Sequence, residues 1–268
     1  MKQRLDVVMA ERGMVASRSQ AESYVRLGQV KVNGRLATKA GQMVSSTDEI
    51  QLAATEQYVS RAALKLKSAA EVFGLDFKGK TVLDVGSSTG GFTQYALNHG
   101  AVKVFAVDVG TDQLHPSLHG DERIELHEKT DIRDIVLRHP EPDSGSSGAS
   151  KKIPNRVRND GKVGISARPD MVVGDVSFIS LREILPHVAT LVDAKAEIIA
   201  MVKPQFEAGQ SSLKHKGVIK NDKMRREILK DFETWALQYF KIIQKADSGV
   251  PGSKGNVERF YLLRKLSS

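Results

Sequence analysis

The stretch T-V-L-D-V-G-S-S-T-G-G-F-T, residues 81–93, decides the fold. It opens as a short, mainly apolar β-prone run, turns glycine-rich, and from about Gly91 suits a helix. A strand, a tight turn and a helix in immediate succession begin a βαβ unit, and a turn of small residues lets a ligand approach the backbone. The dinucleotide fingerprint G-x-G-x-x-G is not met, because Ser88 stands at its second glycine. Working outward, apolar runs recur at K-V-F-A-V-D-V (103–109), M-V-V-G-D-V (171–176) and I-I-A-M-V-K-P (198–204), with helical stretches between them, one near 181–193. This alternation predicts an α/β domain, a Rossmann-like parallel sheet covered on both faces. The run V-E-R-F-Y-L-L-R at 257–264 alternates apolar and polar and suits an antiparallel closing strand.

Carboxylates at later strand ends narrow the ligand. Asp108 ends the second strand, where an acid can accept both hydroxyls of a ribose. Asp131, in K-T-D-I-R and followed by Ile132, stands where a third strand would end, and can accept from an adenine amino group or cap the turn I-R-D-I. A turn, a ribose acid and an adenine acid in that order describe S-adenosylmethionine binding. The candidate cofactor residues are Asp84, Gly86, Ser87, Ser88, Thr89, Gly90, Gly91, Phe92, Asp108, Asp131, Ile132 and Asp175.

Composition sets the limits around this domain. The 268 residues suffice for one catalytic α/β domain and a small module. The absence of Cys excludes a thiolate zinc site, a disulfide framework and a cysteine nucleophile; the seven His are scattered, and no metal is expected. Glu11 and Arg12 interrupt any signal-peptide core, and no apolar run approaches the roughly 18 residues of a membrane span, so a cytoplasmic protein without membrane contact is expected. The net charge of +8 is uneven: residues 1–57 carry +2, 140–169 +3, 207–226 +4 and 245–268 +3, leaving −4 for the rest. Such gathering suits a polyanionic partner as well as a solvated surface.

The first 54 residues read as a separate α+β module. Asp6 is expected to cap a short helix that turns Val8 and Met9 inward and stops at Gly13. Ser17-Arg-Ser-Gln20 predicts a capping box, with Ala21, Tyr24 and Val25 as the apolar stripe and Gly28 as the stop. Asn33-Gly34 signals a hairpin after Val30 and Val32, and Val44, Ile50 and Leu52 suit a following strand. The runs R-L-D (4–6), S-R-S-Q-A (17–21) and G-Q-V-K-V-N-G (28–34) resemble the RNA-binding domain first known from ribosomal protein S-four. That resemblance implies RNA contacts by Arg18, Gln20, Arg26 and Lys31, with Arg4 and Arg35 on the same basic scaffold. Residues 55–59 are expected to link this module to a catalytic domain at 60–268.

Ligands bind beyond the carboxyl ends of strands in such sheets, and there Asp175 ends the run M-V-V-G while Lys203 ends I-I-A-M-V. A lysine ending an apolar strand is costly unless paired or working. Lys65 lies on a helix capped by Ser60, and Glu258 lies in G-N-V-E; taken singly, each reads as a surface charge. The order Lys65, Asp175, Lys203, Glu258 resembles the K-D-K-E tetrad of FtsJ-like ribose 2′-O-methyltransferases. The whole chain resembles the TlyA family, historically labelled haemolysins, through S-R-A-A-L-K-L, D-V-G-S-S-T-G-G-F-T, D-V-S-F-I-S-L, V-K-P-Q-F-E and G-N-V-E. The resemblance implies a class I S-adenosylmethionine-dependent enzyme that methylates a ribose 2′-hydroxyl, that of cytidine in ribosomal RNA of one or both subunits. Lys203 is then the expected base or positioning group, with Lys65, Asp175 and Glu258 orienting the ammonium groups and balancing charge. Two departures stand out: a basic insertion at 140–169, and Lys216 where the family has a glycine. The fourth run continues D-V-S-F rather than N-P-P-Y or D-P-P-Y, which argues against a base-nitrogen methyltransferase. A non-catalytic RNA-binding protein would let the tetrad decay, and a cytolysin would need a membrane-active segment.

Overall fold

The alternation of the sequence resolves, in a computed structural model, into a small N-terminal module and a large α/β domain. The structure describes residues 2–15, 17–26, 28–53, 58–138, 161–208, 218–219, 221–252 and 255–266. The module runs β1 (Lys2–Arg4), α1 (Leu5–Glu11), α2 (Arg18–Arg26), β2 (Val30–Val32), β3 (Arg35–Leu36), β4 (Met43–Ser45) and β5 (Ile50–Leu52). Asn33 and Gly34 take φ of 51° and 75°, the left-handed pair that a tight two-residue hairpin turn needs. The single strand expected over 44–52 is two. β4 pairs with β1 and β5 pairs with β2, because a turn closed by the Asp48 carboxylate on the Ser45 N–H (2.7 Å) reverses the chain between them.

Two helix starts differ from expectation. Arg4, leaving β1, is the N-cap of α1, and Asp6 lies inside the first turn. There Asp6 is buried and accepts the Val7 N–H at 2.9 Å and the Arg4 guanidinium at 2.8 Å. Ser17 Oγ does cap α2, accepting the Gln20 N–H at 3.2 Å, but the Gln20 side chain turns inward and donates to the Tyr58 carbonyl at 2.5 Å.

The large domain contains α3 (Arg61–Phe73), β6 (Thr81–Val85), α4 (Gly91–Asn98), β7 (Lys103–Val107), β8 (Ile124–His127), β9 (Ile135–Leu137), β10 (Val163–Ile165), β11 (Met171–Gly174) and α5 (Leu181–Leu191), followed by β12 (Glu197–Val202), α6 (Pro204–Glu207), α7 (Asp222–Ala236), β13 (Phe240–Asp247) and β14 (Arg259–Lys265). Among the described residues its main sheet has seven strands in the order β13-β14-β12-β11-β6-β7-β8. β14 runs antiparallel to both neighbours, as its alternating pattern predicts, and the other pairings are parallel. The period of two sorts side chains between the faces. Val82, Met171 and Val173 pack with α3 and α4, while Leu83, Val85 and Val172 pack with α5 and α7. The first of these cores continues into Leu5, Met9, Tyr24 and Val30 of the N-terminal module.

The expected linker is anchored at its far end. Tyr58 is buried 5.9 Å from the Tyr95 ring, and the Val59 N–H donates to Gln94 at 2.7 Å; residues 54–57 lie outside the described residues. Residues 140–160 of the expected insertion lie outside them too. Its end is not loop: β10 pairs in parallel with β9 and buries Ile165, so regular structure resumes before β11. Lys216 also falls outside the described residues.

Candidate active site

The chain leaves β6 for β7 and then β8 on one side, and returns to β11 on the other. At that reversal the loops after β6 and β11 diverge and leave a cleft, the place where open α/β sheets hold ligands. Two adjoining cavities occupy it, of about 410 Å³ and about 270 Å³, sharing Gly86, Ser88, Asp175 and Ser177.

The larger cavity has Asp108 and Asp131 on its polar side and Val109, Ile132 and Ile179 among its apolar walls. Backbone amides fix the Asp108 carboxylate: Ser88 N–H donates to one oxygen at 2.8 Å and Gly110 N–H to the other at 2.7 Å. Each oxygen retains a lone pair for a ribose hydroxyl. Asp131 satisfies both of its expected roles in part. It caps the turn through the Arg133 N–H (2.9 Å) and lines the cavity, and the Arg133 guanidinium, 2.6 Å away, holds its carboxyl below the ordinary range.

Ser87, Thr89 and Phe92 line the smaller cavity, but Asp84, Gly90 and Gly91 line neither and instead build the turn from behind. Gly86 (φ 81°) lets the Asp175 carbonyl approach to where a Cβ would lie only 2.8 Å from it. Gly91 admits the start of α3, since a Cβ there would meet Ser60 Oγ at 2.3 Å. Their smallness thus serves backbone packing as well as ligand approach. Asp84 is fully buried and accepts the Thr93 hydroxyl at 2.7 Å; burial pushes its pKa up to about 7.

The four charged residues expected to act together meet at the smaller cavity as two ion pairs. Lys65 Nζ lies 2.5 Å from Glu258, with side chains 9% and 4% exposed; Lys203 Nζ lies 2.5 Å from Asp175, at 10% and 15%. Lys203 also donates to Ser177 Oγ at 2.9 Å. Lys65, Asp175 and Lys203 line the cavity, and Glu258 stands outside its lining, paired with Lys65.

Ser60, expected only as a helix cap, shares one property with the cofactor candidates Ser87 and Asp84. Ser60 Oγ, Ser87 Oγ and Asp84 Oδ1 are buried without a hydrogen-bond partner among the described residues, and both serines line the smaller cavity. Such orphaned groups suit the amino-acid end of S-adenosylmethionine, as Asp108 and the apolar walls suit its nucleoside end. Arg61 lines the smaller cavity as well. Phe178, at φ 67° and 92% exposed, projects from the rim of the larger one, its ring 5.3 Å from that of Phe206.

Of the six residues expected to meet RNA, Arg4, Arg18, Arg26, Lys31 and Arg35 are exposed. Gln20 is not: at 3% exposure its side chain joins α2 to the catalytic domain, so it is withdrawn as an RNA contact. Arg4 and Arg18 share Asp6, at 2.8 and 3.4 Å, and Arg26 pairs with Glu22 at 2.7 Å.

Comparison with known proteins agrees with this division. The FtsJ-like methyltransferase model matches residues 58–265, and an S4 domain model matches residues 3–50. The 16S/23S rRNA (cytidine-2′-O)-methyltransferase TlyA of Mycobacterium tuberculosis is 35% identical over 97% of this chain and 89% of its own length. Hemolysin A of Brachyspira hyodysenteriae is 34% identical over 95% of this chain and 97% of its own. A solved structure of a Streptococcus thermophilus protein described as a hemolysin superposes with a TM-score of 0.65 at 33% identity, covering 100% of this chain and 90% of that one.

Proposed function

Because the chain belongs to the FtsJ-like methyltransferase family, and with its S4 domain to the TlyA family within it, we propose that it methylates the ribose 2′-hydroxyl of a cytidine in ribosomal RNA. It is an S-adenosylmethionine-dependent methyltransferase. The observation that carries the reading of its chemistry is the pair of buried lysine–carboxylate contacts beside the cofactor cleft.

Asp108, Ser60 and Ser87 are the groups that would hold the cofactor, which when bound supplies an activated methyl group. What remains for the protein is to bring a ribose hydroxyl to that position and to handle its proton. Asp175 and Ser177 engage Lys203 on two sides, and its amino group is the one we assign to the hydroxyl, orienting it and, once the ammonium has released its own proton to solvent, taking the hydroxyl's proton. Asp175 then faces the resulting positive charge. Lys65, fixed by Glu258, orients the same hydroxyl from the α3 side of the cavity. Arg4, Arg18, Arg26, Lys31 and Arg35 are the groups we assign to the RNA phosphates, and a ribosomal RNA substrate supports a cytoplasmic enzyme acting beside ribosomes.

Mapping ribose methylation across ribosomal RNA, from cells with and without this protein, tests the reading. A methylated cytidine should vanish with the protein and return with the wild-type chain but not with Lys203→Ala. Identical maps would overturn it. The name of the Brachyspira relative raises a lytic activity as a second reading. Among the described residues no helix is long and apolar enough to cross a membrane, and lysis of erythrocytes by the purified protein would revive that reading.

A further inference from the structure

The loops that follow β11 and β12 are joined by a third buried carboxylate to which the chemistry above gives no part. Glu207 ends α6, four residues after Lys203, and its side chain is 1% exposed. One carboxylate oxygen accepts the Ser180 hydroxyl at 2.6 Å and the other the Leu181 N–H at 2.8 Å, while the Arg182 guanidinium lies 3.5 Å away. Ser180 is the N-cap of α5, and its Oγ also accepts the Arg182 N–H at 3.1 Å. Glu207 thus satisfies orphan donors at the start of that helix, where the helix dipole favours a negative group.

Contacts between the two loops form a ladder. Lys203 bonds Asp175 and Ser177, the Phe178 and Phe206 rings meet at 5.3 Å with their planes tilted by 48°, and Glu207 holds Ser180 and Leu181. Glu207 lines neither cavity. Between the two ends of the ladder Phe178 is held at φ 67°, a strained conformation for a bulky side chain that persists only when the surroundings fix it. Burial raises the Glu207 pKa although Ser180, Leu181 and Arg182 act the other way, so the hydrogen bonds do not fully offset its desolvation. An apolar contact would join the loops without that penalty, but it would not fix their register.

We propose that Glu207 is a positioning residue that clamps the 175–180 loop to the 203–207 turn and so sets the Lys203–Asp175 pair at the reacting end of the cleft. This rests on the role assigned to Lys203 above. The test uses the full chain carrying Glu207→Ala, Glu207→Gln or Lys203→Ala, in single-turnover methylation of ribosomal RNA at saturating cofactor, well below each variant's Tm. Glu207→Ala should slow the folded enzyme about 10- to 100-fold with RNA affinity unchanged. Glu207→Gln should fall between, since its amide oxygen still accepts the Leu181 N–H. The single Trp of the chain, Trp235, lies 5.9 Å from the Arg182 guanidinium, and its emission should shift in both variants as Arg182 loses the Glu207 charge and keeps only its 2.7 Å contact with Asp231. A lowered Tm with a full rate in Glu207→Ala, beside an inactive Lys203→Ala, would overturn this proposal alone. A near-normal rate in Lys203→Ala would overturn the catalytic reading and this proposal with it. Should Glu207→Ala fail to fold, Glu207→Gln and Ser180→Ala decide by the same criterion, because each disturbs only part of the clamp.

Discussion

Arg4, Arg18 and Arg26 in the N-terminal module sit beside carboxylates, as Lys65 and Lys203 do in the cleft, yet the arginine side chains are 50–60% exposed and the lysines 9–10%. Exposure changes what the same pairing can do. The Arg26–Glu22 pair, exposed on both sides, contributes little and can release its carboxylate for an RNA phosphate with small loss, whereas Arg4 and Arg18 reach from solvent onto the buried Asp6. A buried pair resists separation, because either partner alone would be an uncompensated charge away from water. The module therefore has in Arg26 a cation free to change partners, and in Arg4 and Arg18 two exposed cations sharing one buried carboxylate, while the cleft has cations fixed in place.

The largest effect that sharpens this contrast is on chemistry. Lys203→Ala should lower the single-turnover rate about 10²- to 10⁴-fold while RNA affinity stays within error. Lys203→Arg should fail as well, since a guanidinium is differently shaped and keeps its proton. A rate near wild type in either would leave the buried pair with a structural role only.

Next comes a matched pair of deletions read by chemical denaturation. Glu258→Gln leaves Lys65 buried beside a neutral group and should destabilise the fold by about 3–5 kcal/mol. Glu22→Gln removes the exposed partner of Arg26 and should change stability by less than about 1 kcal/mol. Similar losses in the two would break the comparison.

Asp84 offers an intermediate case, a buried carboxyl held by the Thr93 hydroxyl rather than by a cation. Its pKa is raised in the fold, so its contribution is fully present below pH about 4 and is lost as pH rises through about 7. Wild-type stability should carry a downward component of roughly 4 kcal/mol across that window, and Asp84→Asn should flatten it. An unchanged pH profile in Asp84→Asn would assign the titration elsewhere.

The smallest effect belongs to the exposed cations. Arg18→Ala with Lys31→Ala should weaken RNA binding and reduce the slope of log Kd against log salt by about 2, leaving cofactor affinity unchanged. A salt slope that does not move would remove these two residues from the RNA contact.

Much of this was readable along the chain. The strand–turn–helix at 81–93, the acid at Asp108 and the order Lys65, Asp175, Lys203, Glu258 lie in short runs whose local chemistry or family resemblance is distinctive. Gln20 misled because its motif position faces RNA in the resemblance, whereas the neighbouring domain here covers it and supplies a carbonyl. Asp6 misled because a cap is judged from sequence one residue at a time, and the helix began two residues earlier, directly from β1, which put Asp6 inside its first turn. Ser60, read only as a helix cap, gave no warning of its place in the cavity, since an unpartnered hydroxyl is defined by everything around it.

Periodicity and turn chemistry are properties of neighbouring residues, so the sequence by itself determined the α/β alternation, the glycine-rich turn and the antiparallel last strand. It named the four charged residues of the cleft through their surrounding runs. Only the tertiary structure decided that Lys203 meets Asp175 and Lys65 meets Glu258. The first pairing requires β11 and β12 to lie side by side in parallel, and the second requires α3 to pack where the chain enters β14. Those neighbours are set by the order of strands in the sheet, which long-range packing fixes and no local run of residues encodes.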